Sequence, residues 1–190
     1  RHGVSPEGKH YYPSFPYTAY ANMTDQDITD LWVYFKSIPE SSKPSIDHDL
    51  PMYLRWRRPL AFWKLLNKRE PIIELVSVDA TLQRGAYLVE TLGHCGECHT
   101  PRNFIGGLQY EYWLGGAKNP AGRGMIPNIT SSKLNWNTEE IVEYLASGFT
   151  PDFDVAGGHM VHVIENTSKL TEEDRIAIAE YLKAIPGVQK

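Results

Sequence analysis

The chain has 190 residues, 42% of them apolar and 22% charged, enough for one ordinary globular domain or two small ones. A formal charge of −4 and a pI near 6.0 offer no basic face for a phosphate backbone, which argues against nucleic acid as a partner. No run of roughly 18 apolar residues occurs, so no segment reads as a membrane-spanning helix.

The first regular element expected along the chain is a short amphipathic helix over 24–39. Thr24 caps it, acidic residues fill its first turn, Ile28, Leu31, Trp32 and Phe35 recur at helical spacing, and Pro39 stops it. Residues 40–77 read as a linker: a polar stretch from Glu40 to Asp49, then an Arg- and Trp-rich run from Tyr53 to Leu66. The Trp and Leu side chains of that run are expected to lie against a flanking domain, although a basic, aromatic segment also suits a partner or a membrane surface. A second helix opens at Asp79 or Thr81, passes through Ala86, Tyr87, Leu88 and Leu92, and closes at Gly93. Stretches 101–130 and 147–160 are Gly- and Pro-rich and read as loops. A helix from Thr138 to Leu145, closed by Gly148, separates them.

The last expected helix, 171–186, has Thr171 as cap, a stripe of Ile178, Tyr181, Leu182 and Ile185, and Pro186 as stop. Laid over the first with Thr24 on Thr171, it brings Asp27, Tyr34, Lys36, Ile38 and Pro39 onto Asp174, Tyr181, Lys183, Ile185 and Pro186, which is an internal repeat. Residues 78–190 therefore read as a whole domain, and residues 1–39 as the C-terminal part of a domain of the same kind. The chain opens on Arg1 rather than Met, which implies that a signal peptide or a longer segment has been lost. The fold class is all-α with long ordered loops.

The two cysteines lie in Cys95-Gly96-Glu97-Cys98-His99. That spacing sets two thiols one helical turn apart, each able to add across a vinyl group of one haem, with the adjacent imidazole of His99 beneath the iron. A structural zinc site would need a second ligand pair, and no other cysteine exists to supply it. A dithiol redox site should follow a strand in a βαβ unit, whereas here the motif follows a helix. Loops of this length would otherwise count against a compact domain, but they can be ordered by wrapping a large flat cofactor. An electron carrier needs a second axial ligand. The candidates are Met125, His159, Met160 and His162, and Met160, in Gly157-Gly158-His159-Met160-Val161 ahead of the final helix, is preferred. Met125 is expected to pack, and His159 and His162 to be solvated or hydrogen-bonded.

The order Cys95-x-x-Cys98-His99, Ile126-Pro127-Asn128-Ile129, Trp136, Met160 and a terminal helix with Tyr181 resembles the class I cytochromes c over essentially all of 79–190. The resemblance implies the cytochrome c fold, covalent haem c, a Pro127 carbonyl that accepts from the His99 ring, Asn128, Trp136 and Arg102 around the cofactor, and contact of Gly85 or Ala86 with Tyr181. Arg84-Gly85-Ala86-Tyr87-Leu88-Val89, Cys98-His99-Thr100-Pro101-Arg102-Asn103 and the Arg- and Trp-rich linker are similar, more narrowly, to the multihaem cytochrome c subunits of bacterial periplasmic dehydrogenases acting on alcohols, aldehydes and sugars. This implies a periplasmic carrier of single electrons, with no catalytic residue of its own, between a dehydrogenase and a respiratory acceptor. Membrane association would come through a partner. In those subunits a segment like Gly8 to Tyr17 belongs to the distal loop of a preceding haem domain. This implies a second haem wherever the missing half is present, with Met23 or His10 as candidate ligands and Phe15 where relatives often carry Met. Met23 aligns with Leu170, so packing is its expected role. The alternative is a haem enzyme with an open distal site and His159 as acid–base group, and a third reading makes the first 78 residues a docking module.

Overall fold

In the computed structural model, residues 1–67, 79–120 and 122–189 are described. The chain divides into two compact units, Arg1–Arg69 and Glu70–Lys190. The expected junction at Ser77 and Val78 lies outside the described residues. The described residues are mostly helical, with one pair of two-residue strands.

The first unit is built on short elements: α1 (Tyr17–Tyr20), α2 (Asp25–Ser37), α3 (Met52–Arg55) and α4 (Pro59–Leu66). Thr24 caps α2 as expected, its hydroxyl accepting from the Asp27 amide at 3.1 Å. The expected core face of α2 is not buried, however: Ile28 is half-buried, and Leu31, Trp32 and Phe35 are exposed. Burial in this unit falls on Tyr17, Ala19 and Met23 instead. Part of the expected linker packs onto this core. The Tyr12 hydroxyl donates to the Leu54 carbonyl at 2.7 Å, the Arg57 guanidinium lies 4.8 Å over the Tyr12 ring, and Lys64 donates to the carbonyls of His2 and Gly3.

The second unit is organised by a crossing of its first and last helices. Asp79 caps α5 (Ala80–Ala86), accepting from the Thr81 amide at 2.8 Å. The expected single α-helix then widens into a π-helical turn, Tyr87–Leu92, which buries the consecutive residues Leu88, Val89, Glu90 and Thr91. Across from it lies α9 (Glu172–Ala184), capped by Thr171. The helices approach until a Cβ on Gly85 would stand 2.0 Å from the Ala177 carbonyl oxygen and 2.8 Å from Tyr181 Cβ. Only glycine fits there. Arg84 clasps Asp174 beside the crossing with bonds of 2.7 and 2.8 Å.

Between these ends come α6 (Gly96–His99), β1 (Ala117–Lys118) paired antiparallel with β2 (Met125–Ile126), α7 (Thr138–Ser147) and α8 (Met160–Thr167). Asn137 and Glu140 form a reciprocal capping box at the start of α7, and Gly148 ends it at φ 81°. α8 was not expected. It is short, and His159 at its N-cap makes no side-chain capping bond, so the sequence carries no start signal.

Candidate haem attachment site

The π-helical turn hands the chain directly to the cysteine motif. Gly93 donates to the Leu88 carbonyl at 2.7 Å, His94 takes a left-handed φ of 39°, and the Cys95 amide donates to the Val89 carbonyl at 3.0 Å. α6 then carries Glu97, Cys98 and His99 on a single turn with Cys95 at its N-cap, so both thiols project from one short helical segment. Gly96 between them is required by packing. A Cβ there would meet the Trp113 ring at 2.0 Å.

The His99 ring is oriented from behind. Its Nδ1 lies 2.8 Å from the Pro127 carbonyl, and since a carbonyl can only accept, Nδ1 carries the proton and Nε2 keeps its lone pair. Burial pushes the His99 pKa down and the Pro127 carbonyl pulls it partly back. The loop that delivers Pro127 is pinned to the same short helix. The Gly116 amide donates to the His99 carbonyl at 2.7 Å, and the Leu114 amide donates to the Thr100 hydroxyl at 3.0 Å, with Leu114 itself in the left-handed region at φ 56°. The pairing of Ala117 with Ile126 then sets Pro127 beside the ring.

The other expected residues take different places. Arg102 donates to the Gly106 carbonyl at 2.9 Å, the Glu97 carbonyl at 3.1 Å and the Glu97 carboxylate at 2.5 Å, bracing the 102–108 turn against the cysteine motif. The Asn128 side chain is taken up within the protein: its amide donates to the Val188 carbonyl at 2.9 Å, and its oxygen accepts from the Thr130 hydroxyl at 2.7 Å. Trp136 is half-buried with its ring edge-on to Tyr144, centroids 5.2 Å apart. Met160 is half-buried at the first position of α8, packed against the core of the second unit. His159 is exposed, as is His162, whose Nδ1 lies 3.1 Å from the Glu165 carboxylate. Met125 corrects an expectation, for it does not pack: it is 69% exposed on β2, because the short hairpin turns its side chain away from the core. In the first unit, Met23 is buried as expected, and His10 is half-buried with its Nδ1 enclosed and without a hydrogen-bond partner.

One buried feature was not anticipated. Trp113 Nε1 donates to the Tyr181 hydroxyl at 3.1 Å, and that hydroxyl donates to Glu90 Oε1 at 2.7 Å. An indole N–H can only donate, which fixes the direction of the chain. The polar chain thus runs from the helix crossing to the ring under Gly96. The available signal was Glu90 itself, an acid inside the apolar run Tyr87 to Leu92.

The donor set suits haem c. Both thiols sit on one helical turn, and the imidazole Nε2 is left available by the bond at Nδ1. Burial pushes the Cys95 thiol up to about 11, and burial with the Glu97 carboxylate raises Cys98. Among the described residues no group of three or more His, Cys, Asp or Glu comes together to hold a metal ion.

No family model matches the chain. Over 189 residues, all of this chain, it is 52% identical to a diheme cytochrome c-type protein of Cereibacter sphaeroides, covering 64% of that protein. It is 34% identical to the fructose dehydrogenase cytochrome subunit of Gluconobacter japonicus and 32% identical to the cytochrome c subunit of an alcohol dehydrogenase (quinone) of Gluconacetobacter polyoxogenes, with 98% and 99% of this chain aligned. The chain spans 40% and 43% of the length of those two subunits. With the cysteine motif and its oriented histidine, these similarities make the chain a c-type cytochrome related to the cytochrome c subunits of bacterial quinone-dependent alcohol and sugar dehydrogenases.

Proposed function

We propose that the chain is a periplasmic electron-transfer protein that passes single electrons from a dehydrogenase to a respiratory acceptor. Haem c, held by thioether bonds to Cys95 and Cys98, would supply reversible one-electron chemistry at its iron. The observation that carries the reading is the 2.8 Å bond between His99 Nδ1 and the Pro127 carbonyl. It holds the imidazole in the tautomer that ligates through Nε2, and a carbonyl acceptor raises the basicity of that nitrogen. Met160 is the proposed second ligand, and its thioether would favour the reduced state. Arg102, Pro127, Asn128 and Trp136 serve the site by fixing the segments around it. On this reading the second unit has the cytochrome c fold, with its long loops ordered around the cofactor.

Residues 1–39 are proposed to be the C-terminal part of another cytochrome c-like domain, and residues 40–77 the segment joining it to the next. The support is the match of α2 to α9 in cap, body and stop, together with the exposed apolar face of α2 at positions that are buried in α9. A diheme relative at 52% identity supports the same reading.

The test is an intact mass of the denatured chain with oxidised and reduced visible spectra of the native protein. One covalent haem with a Met-to-iron charge-transfer band, lost in Met160→Ala while the mass is unchanged, is the expected result. An unmodified mass would overturn the assignment. A high-spin spectrum with covalent haem would instead point to the open-site enzyme.

A further inference from the structure

We propose that residues 52–66 form a membrane-adsorbing surface that lies on an anionic lipid headgroup layer. From Leu50 to Asn67 the chain carries Arg55, Arg57, Arg58 and Lys64 and no acidic residue, in a protein whose formal net charge is −4. The sign of this stretch is thus opposite to that of the molecule, which suits an anionic surface.

The arrangement of α4 is the second observation. A helix on a water-facing surface turns its apolar stripe inward. In α4 apolar side chains stand on both sides: Lys64 is turned inward beside half-buried Leu60 and Trp63, donating to the carbonyls of His2 and Gly3 and lying 4.7 Å over the Tyr17 ring, while Phe62, Leu65 and Leu66 face outward with Leu65 71% exposed. Burial pushes the Lys64 pKa down, as expected for an ammonium drawn into the unit. The preceding turn continues the outward face with Met52 at 85% and Trp56 at 64% exposure. Aromatic rings and long basic side chains are the groups that settle at the boundary between headgroups and acyl chains.

The surface is fixed to the fold. Arg57 over Tyr12 and Lys64 on the N-terminal carbonyls hold its inner side, leaving Arg55 and Arg58 as the exposed cations. No helix of the described residues is long and apolar enough to cross a membrane, so the contact is one of lying on the surface, with Arg55 and Arg58 at lipid phosphates and Trp56, Phe62 and Leu65 at the headgroup boundary. It involves only the first unit and does not depend on haem ligation.

The experiment is flotation of the haem-loaded full chain with vesicles of phosphatidylcholine alone or mixed with phosphatidylglycerol, followed by the Soret band. Binding is expected to the mixed vesicles and to weaken with salt. The double variant Arg55→Gln/Arg58→Gln should lower the partition coefficient about thirtyfold, from about 1 kcal/mol for each cation near the surface. Arg55→Lys/Arg58→Lys should retain binding, and Phe62→Ser/Leu65→Ser should weaken it at every salt concentration. An unchanged Soret spectrum in each variant shows that the haem domain is intact. Failure to float with the anionic vesicles, or binding indifferent to both double variants, would overturn the proposal. Flotation only when a partner dehydrogenase is also present would overturn it in favour of a protein-docking surface.

Discussion

Gly96 is the residue on which the attachment site turns most directly. It stands between the two cysteines, and its missing side chain is the space in which the Trp113 ring lies. Trp113 in turn is held by the Tyr181 hydroxyl, which is bonded to Glu90, so a displacement at Gly96 is resisted by a buried polar chain as well as by packing. Gly96→Ala would place a methyl carbon 2.0 Å from the ring, too close for any small adjustment. The expected cost is about 3 kcal/mol of stability, read by denaturant unfolding, together with a smaller fraction of chain carrying covalent haem by mass. A variant as stable and as fully loaded as the parent would mean that Trp113 does not support the cysteine motif.

At the scale of elements, the crossing of α5 and α9 joins close backbone approach at Gly85 to the Arg84–Asp174 ion pair. The Arg84 guanidinium, through its hydrogen bonds and charge, holds the Asp174 carboxyl below the ordinary aspartate value. A carboxyl lowered in the folded state contributes stability that is complete above its unfolded value, about 3.9, and is lost as pH falls through the folded one. Arg84 is about half exposed, so solvent screening holds the pair to about 1 kcal/mol or less. Arg84→Gln should therefore be less stable than the parent at neutral pH by up to that amount, and the difference should vanish in strong acid. Denaturant midpoints measured from pH 7 down to about pH 2 would show the two curves converging; a constant offset would assign the effect of Arg84 to packing.

For the second unit as a whole, the question is how a long stretch with little regular structure is ordered between α6 and α7. The hydrogen bonds answer it: Gly116 to the His99 carbonyl, Leu114 to the Thr100 hydroxyl, Ile129 to the Leu114 carbonyl at 3.0 Å, and Asn128 to the C-terminal Val188 carbonyl. The loop is tied at one end to the segment that bears the cysteines and at the other to the end of the chain. Thr100→Val keeps the shape of a buried side chain but removes the acceptor for the Leu114 amide, leaving a buried donor unsatisfied. We expect a loss of about 1–3 kcal/mol, and a joint fall in hydrogen-exchange protection at Leu114, Gly116 and Ile129. A fall confined to Leu114 would show that the loop does not open as a unit.

The cysteine motif, the helices α2, α7 and α9, and the repeat between the first and last of these were legible in the sequence because each rests on local chemistry. A thiol pair at fixed spacing, a hydroxyl cap, and a proline or glycine stop act within a few residues of one another. The contact of Gly85 with Tyr181 followed from family resemblance, and the structure supplies its reason in the 2.0 Å approach to the Ala177 carbonyl. What the tertiary structure alone decided is non-local. Whether an apolar stripe is buried depends on what lies across from it, so α2 and α9 share a pattern and differ in burial. The π-helical widening, the inward turn of Lys64 on α4, the exposure of Met125 and the inward placement of Glu90 likewise depend on partners tens of residues away, and periodicity carries no record of them.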